Sequence, residues 1–295
     1  MWQCKPHPFF ALHKKRWIPY ATDTRNAKKP TGMNKLLLLP LVLSMGCASL
    51  PGEKISKIQN REIAYVIKGE GNPTVVLETG LGPTMSTWDA VYEDVARVTR
   101  VFAYNRPGYG RSSVGKTPES LRDLADQLRQ NLLSTGLKPP YVLVGHSAGG
   151  LYVNYYARVY PQEVAGAVLI DSSHPAQFEY FKSEKPLIHA LFVVSTSTGR
   201  TSYESRILKN MHNEFKEVGL FPDVPLVVLT AGKSSFVETQ EMREKWLTFQ
   251  RDLAAMSSRA THTIVKGSGH FIQKDKPDTV IEAIRHVVEQ VRNRM

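Results

Sequence analysis

Residues 141–150 read YVLVGHSAGG, and this stretch decides the fold. Tyr141, Val142, Leu143, Val144 and Gly145 form an apolar run with two β-branched members, which predicts a buried parallel strand. Gly145-His146-Ser147-Ala148-Gly149 follows as a G-x-S-x-G pattern, and residues 151–160 carry a helical pattern. A strand, a sharp turn and a helix are the context that turns this short pattern into a nucleophile site. The turn forces Ser147 into a strained conformation and lifts its Oγ clear of the sheet. A Cβ two residues to either side would collide with the turn, and Gly145 and Gly149 carry none. The N–H of Ala148, at the first helical turn, is predicted to point at a developing oxyanion and to gain from the helix dipole.

The 295 residues allow one large α/β domain with extensions, and 42% hydrophobic residues supply a substantial core. The formal net charge of +11 invites a nucleic-acid reading, but its distribution opposes one. Residues 1–32 hold seven basic side chains against Asp23 alone, whereas the chain from Cys47 onward holds 30 Lys or Arg against 26 Asp or Glu. That ratio describes an ordinary protein surface, so no nucleic-acid partner is expected. The two cysteines, Cys4 and Cys47, both precede the domain, and no His cluster has ligand spacing. Neither an internal disulfide nor a structural zinc is therefore expected.

Met33-Asn34-Lys35 precedes an apolar run over residues 36–45 and then Gly46-Cys47-Ala48-Ser49. A positive start, a short apolar core and small residues at the cut predict an export signal over residues 33–46. The apolar run is too short to span a bilayer. Cys47 directly after Gly46 resembles the lipobox of bacterial lipoproteins, although Ser44 and Met45 stand where Leu and Ala are commoner. That resemblance implies a lipid on the Cys47 sulfur, a membrane-anchored envelope protein, and a tether over residues 47–52. Signal cleavage nearby or an uncleaved anchor remains the alternative. Residues 1–32 mix Pro, aromatic and basic residues without periodicity. They read as an extension, either upstream of a true start at Met33 or ahead of an uncleaved anchor.

Beyond residue 53 the pattern alternates. Residues 55–59 and 61–68 read as an antiparallel pair with Asn60 in the turn. Residues 74–78 are a buried strand that opens into Thr79-Gly80-Leu81-Gly82, where the N–H of Leu81 is the second candidate oxyanion donor. Residues 86–98 have helical spacing, with Trp88 as core or pocket wall. Residues 101–104 form a strand leading to NRPGYGRS at 105–112. Thr117 and Pro118 signal the start of a helix that runs to about Thr135 and closes at Gly136. Residues 164–170 deliver Asp171-Ser172-Ser173-His174. Residues 175–224 lack a sheet pattern and read as a helical insertion long enough to be a lid. Strands at 225–230 and 261–265 and helices at 237–256 and 279–291 complete the chain. Alternating strands and helices imply a mostly parallel sheet.

The TGLG loop, NRPGYGRS, the GHSAGG elbow and the late GSGHFI segment follow one another in an order that resembles the α/β-hydrolase superfamily. The likeness runs from about Glu53 to Arg294. It implies an eight-stranded, mostly parallel sheet flanked by helices, with the helical cap between the sixth and seventh strands. It also implies a catalytic trio in the order nucleophile, acid, base. Ser147 and His270 take the first and last places. Many relatives carry the acid after the next-to-last strand, but Lys233-Ser234-Ser235-Phe236 offers no carboxylate there. Asp171, one strand earlier, is favoured, with Glu238 second. His146 reads as a packed neighbour, and His174 reads as structural, with contact to the substrate as its alternative. Glu78 sits one position from where a His is common before the oxyanion glycines, with Arg106 or Arg111 as a candidate partner.

The resemblance implies an esterase-like serine hydrolase acting on a small-molecule acyl substrate, with no cofactor and no metal. Thioester, amide, lactone and carbon–carbon bond hydrolysis stay open, as does a non-catalytic binding or sensor protein. Phe178, Tyr180, Phe181, Phe192 and Tyr203 are expected either to line the pocket or to form the lid's own core. The sequence leaves the oligomeric state undetermined.

Overall fold

The computed structural model describes residues 49–294, apart from Gln59 and residues 235–237. The extension at 1–32, the leader at 33–46 and the candidate lipidation site Cys47 lie outside the described residues. Eight strands appear in chain order: β1 (Lys54–Ile58), β2 (Arg61–Lys68), β3 (Thr74–Glu78), β4 (Val101–Tyr104), β5 (Tyr141–His146), β6 (Val164–Ile170), β7 (Leu226–Ala231) and β8 (Ala260–Val265). They form one sheet in the order β1-β2-β4-β3-β5-β6-β7-β8. The β1–β2 and β2–β4 pairs are antiparallel and the rest parallel. Helices α1 (Asp89–Val98), α2 (Leu121–Ser134), α3 (Ala148–Val159) and α7 (Gln240–Ala254) occupy crossovers, and α8 (Ile272–Asp275) and α9 (Pro277–Arg292) follow β8.

Alternation along the strands builds two cores. Leu143 of β5 joins α2 and α3 on one face, while its neighbours Val142 and Val144 join α1 and α9 on the other. All three are fully buried, and each such side chain contributes roughly 1.5–3 kcal/mol by leaving water. Packing begins before β1, because Leu50 is 2% exposed and belongs to the second core. The stretch expected as a tether is therefore already attached to the domain at Leu50.

Three expected boundaries shift. The helix expected from Thr117 begins at Leu121, capped by Ser120, whose side chain accepts from the Asp123 N–H at 3.0 Å. A Ser at the cap outcompetes Pro118 because its oxygen satisfies an otherwise orphaned donor. The stretch over 86–98 divides into a 3-10 turn, Met85–Trp88, and α1, with Trp88 fully buried in the core. The helix expected from residue 237 begins at Gln240 after a Thr239 cap.

The insertion between β6 and β7 is the expected helical cap, made of α4 (Gln177–Glu184), α5 (Pro186–Thr196) and α6 (Ser202–Lys216). Helix α6 buries Tyr203, Glu204, Ile207, Leu208 and Met211. Helix α5 carries no charged residue and buries only Thr196, leaving Leu187, Leu191 and Val194 exposed at 81%, 64% and 72%. No described helix is long and apolar enough to cross a membrane.

Candidate active site

Adjacent parallel strands β5 and β6 bring Ser147 and Asp171 together. His146 pairs with Ile170 in their register, so Ser147 and Asp171 are the next residues on neighbouring strands. Both have positive φ, 55° at Ser147 and 41° at Asp171, and no other described non-glycine residue does. Each costs about 1–3 kcal/mol and persists because the surrounding bonds overdetermine it. Ser147 N–H donates to the Ile170 carbonyl at 3.0 Å, Ser173 N–H donates to the Ser147 carbonyl at 3.0 Å, and Asp171 N–H donates to the Leu229 carbonyl at 2.7 Å. A Cβ on Gly145 would lie 2.5 Å from the Gly149 carbonyl oxygen, and one on Gly149 would collide with the carbonyls of Glu78 and Thr79. Only glycine permits that approach.

His270 Nδ1 lies 2.7 Å from Asp171 Oδ2. Asp171 is buried, and its other oxygen accepts from Trp246 Nε1 at 2.9 Å and the Ala231 N–H at 3.1 Å. Burial alone would push this carboxyl upward. The His270 bond and charge, then the Ala231 and Trp246 donors, outweigh it and hold Asp171 below its ordinary value. An ionised Asp171 accepts the Nδ1 proton and leaves Nε2 as the basic nitrogen of His270. The loop carrying His270 is held in turn by Asp275, whose Oδ2 accepts from the Gly269 N–H at 2.7 Å.

Ser147, Ala148, Leu81 and His270 line one cavity of about 240 Å³, with Phe178, Phe192, Leu208 and Met211 as its apolar wall. Ser173, Gln177 and Trp246 complete it. Among the described residues, the N–H groups of Leu81 and Ala148 and the Ser147 hydroxyl make no hydrogen bond. A second, larger cavity lies behind the Asp171–His270 pair, beside Lys233, Glu238 and Arg243, and does not reach Ser147. Glu238 stands at that cavity, while the His270 Nδ1 bond goes to Asp171.

His146 is the packed neighbour expected. Its ring lies 4.6 Å from that of His270, and its Nε2 is 2.9 Å from the His270 carbonyl oxygen. The carbonyl can only accept, so His146 carries its proton on Nε2. Burial, then the nearby His270 ring, push its value down to about 3, which keeps it neutral. His174 stacks on Phe249 and accepts from the Ala176 N–H, a local structural role. Of the five cap aromatics, Phe178 and Phe192 reach the cavity, Tyr203 is buried in the core, and Tyr180 packs against Phe181 and Phe249.

Glu78 pairs with Arg106, while Arg111 pairs with Glu53 near the surface. Arg106 is wholly buried between two carboxylates, with Nη1 2.5 Å from Glu78 Oε1 and Nε 2.6 Å from Glu204 Oε1. The Nε contact is close but not aligned as a hydrogen bond. Burial opposes the Arg106 charge, yet Glu204 and Glu78 outweigh it and raise its value. Glu204 and Trp246 were not legible as site residues, because a lone Glu or Trp on a helix signals no distant partner. Among the described residues, no three His, Cys, Asp or Glu side chains gather as a metal site would need.

The strand order, the strained serine on its turn and the Asp171–His270 pair beside it define an α/β-hydrolase fold. The sequence profile described as the alpha/beta hydrolase fold matches residues 73–185, from β3 into the cap. The chain is 25% identical to the protein YqjL of Bacillus subtilis over 222 residues, 75% of this chain and 85% of that one. It is 24% identical to an esterase of Mycobacterium tuberculosis over 302 aligned positions, covering 88% and 97%. A solved esterase structure from Thermogutta terrifontis superposes with a TM-score of 0.58 at 19% identity, covering 81% of this chain and 98% of that one.

Proposed function

We propose that this chain is a serine hydrolase that cleaves a carboxylic ester or closely related acyl bond through an acyl-enzyme. Ser147 is the nucleophile, His270 the proton carrier and Asp171 its orienting acid. The N–H groups of Leu81 and Ala148 receive the oxyanion. The observation that carries the reading is the 2.7 Å bond between His270 Nδ1 and Asp171 Oδ2, at the cavity that also exposes strained Ser147. The likeness to esterases supports the same class.

His270 Nε2 takes the Ser147 proton as Oγ attacks the acyl carbon, and the carbonyl electrons move onto oxygen facing the two N–H groups. Collapse expels the alkoxide, which takes the proton from His270. Water, deprotonated by the same nitrogen, then attacks the acyl-enzyme, and Ser147 recovers its proton as the acid leaves. The cavity's size and its Phe178, Phe192, Leu208 and Met211 wall favour short to medium apolar acyl groups. A fluorophosphonate probe tests the class directly. Labelling of the wild type that disappears in Ser147→Ala supports it, and an unlabelled wild type overturns it.

For location, the leader pattern supports a chain held at a membrane by lipid on Cys47. The buried Leu50 follows three residues later, so the domain would sit within about 11 Å of the lipid. Mass spectrometry of the mature N-terminus should find a diacylglyceryl Cys47, and Cys47→Ser should release activity from the membrane fraction.

A further inference from the structure

Arg106 grips the backbone of the loop that carries Leu81. Its Nη1 donates to the Thr79 carbonyl at 2.8 Å and to Thr79 Oγ1 at 2.9 Å, and its Nη2 donates to the Gly80 carbonyl at 2.7 Å. The last bond has a consequence through planarity. The Gly80 carbonyl and the Leu81 N–H belong to one trans peptide unit, so they point in opposite directions. A guanidinium holding the carbonyl on one side sets the direction of the N–H on the other. The next peptide is held as well, because the Gly82 N–H donates to the Tyr109 hydroxyl at 3.3 Å. Both peptides flanking Leu81 are thus fixed by the loop after β4.

The cap reaches the same two side chains. Glu204 of α6 accepts from the Tyr109 hydroxyl and lies 2.6 Å from Arg106 Nε, and it is fully buried. Arg106 also stands 4.9 Å from the centre of the Tyr109 ring. We infer that Arg106 is a positioning residue that aims the Leu81 N–H into the cavity, and that Glu204 makes that aim depend on a seated cap. This inference rests on the serine-hydrolase reading and deepens it. A cap helix that also fills the substrate cavity through Leu208 and Met211 thereby acts on the chemistry as well as on fit.

The test compares Arg106→Lys, Glu204→Gln and the double variant with wild type. Lysine keeps the charge but cannot hold two carbonyls with a planar fork. Glutamine keeps an oxygen for Tyr109 but loses the charge. Arg111→Lys, in the same loop but paired with Glu53, is the control. Three readouts are needed: kcat and KM on a p-nitrophenyl ester, the rate of fluorophosphonate labelling, and the affinity of a trifluoromethyl ketone, whose adduct carries the oxyanion. Arg106→Lys should lower kcat about 10- to 100-fold, part of the roughly 10²–10³ lost when an oxyanion donor is removed outright. KM should change little, and ketone affinity should fall in step with kcat. Glu204→Gln should show a smaller loss of the same kind, and the double variant should lose less than the product of the two. Should Arg106→Lys not fold, Glu204→Gln alone must still show ketone affinity falling with kcat. Folded variants that keep wild-type kcat and ketone affinity overturn the inference, as does a loss confined to KM. A wild type that neither labels nor turns over overturns both this inference and the reading beneath it.

Discussion

The sheet rim beneath the cavity and the cap above it are built on opposite terms. Along β3, β5 and β6 nearly every residue is buried, and the register sets neighbours one by one. In α5 a single residue of eleven is buried, and Leu187, Leu191 and Val194 face outward. The rim can hold Ser147 and Asp171 in strained backbone because the strand ladder and the bonds to Ile170, Ser173 and Leu229 oppose relaxation. The cap has no such reserve outside α6, so it suits selection of substrate rather than placement of reacting atoms. The difference teaches where precision is held: in the parallel strands and the buried Arg106 bonds, with α6 as the one part of the cap tied to them.

The largest effect should come from the rim. Asp171→Asn keeps the shape but cannot hold His270 in the required tautomer, and kcat should fall about 10⁴-fold while thermal unfolding stays near wild type. Activity within tenfold of wild type would remove Asp171 from the trio. Next, Leu143→Ala beneath the elbow should cost about 2–5 kcal/mol in denaturant unfolding, through lost burial and a cavity.

Acid should strain the rim through His146. Its folded value is pushed down to about 3 by burial, whereas an unfolded His titrates near 6.5. Between those values the unfolded chain binds a proton that the native chain refuses. The stability is therefore whole above about 6.5 and drains away as pH falls toward 3. A plot of melting temperature against pH should be shallower between pH 6 and 4 for His146→Asn, and identical slopes would refute this. In the cap, Phe192→Ala should move the ester preference toward longer acyl chains, with about a tenfold change in the ratio of kcat/KM values across a chain-length series. The smallest effect belongs to α5: Leu191→Ala should alter stability by less than about 0.5 kcal/mol. A loss as large as that of Leu143→Ala would erase the contrast between rim and cap.

Much of the rim could be read from the residues alone. The limits of β3, β4 and β6 coincide with their apolar runs because turn-forming residues or charges end each one. The elbow was legible because its glycines have a local steric cause. The preference for Asp171 over Glu238 comes from the resemblance, which allows an acid one strand early, and Asp171 Oδ2 lies 2.7 Å from His270 Nδ1. What stayed hidden depends on pairs far apart in the chain. Arg106 and Glu204 meet only when α6 folds over the loop after β4, and Trp246 finds Asp171 across 75 positions. No local periodicity encodes such meetings. The start of α2 was misjudged for a nearer reason, since the Ser120 cap and Pro118 are competing signals within three residues.

The place of Asp171 just beyond β6 ties it to Ser147 through the sheet. Ser147 and Asp171 directly follow adjacent, hydrogen-bonded strands, so they travel as one unit through any distortion of the outer sheet. On the proposed roles, the stretch that follows β7 need supply no carboxylate. What it supplies instead is a pair of donors, the Ala231 N–H at its edge and Trp246 Nε1 further on, both spent on Asp171 Oδ1.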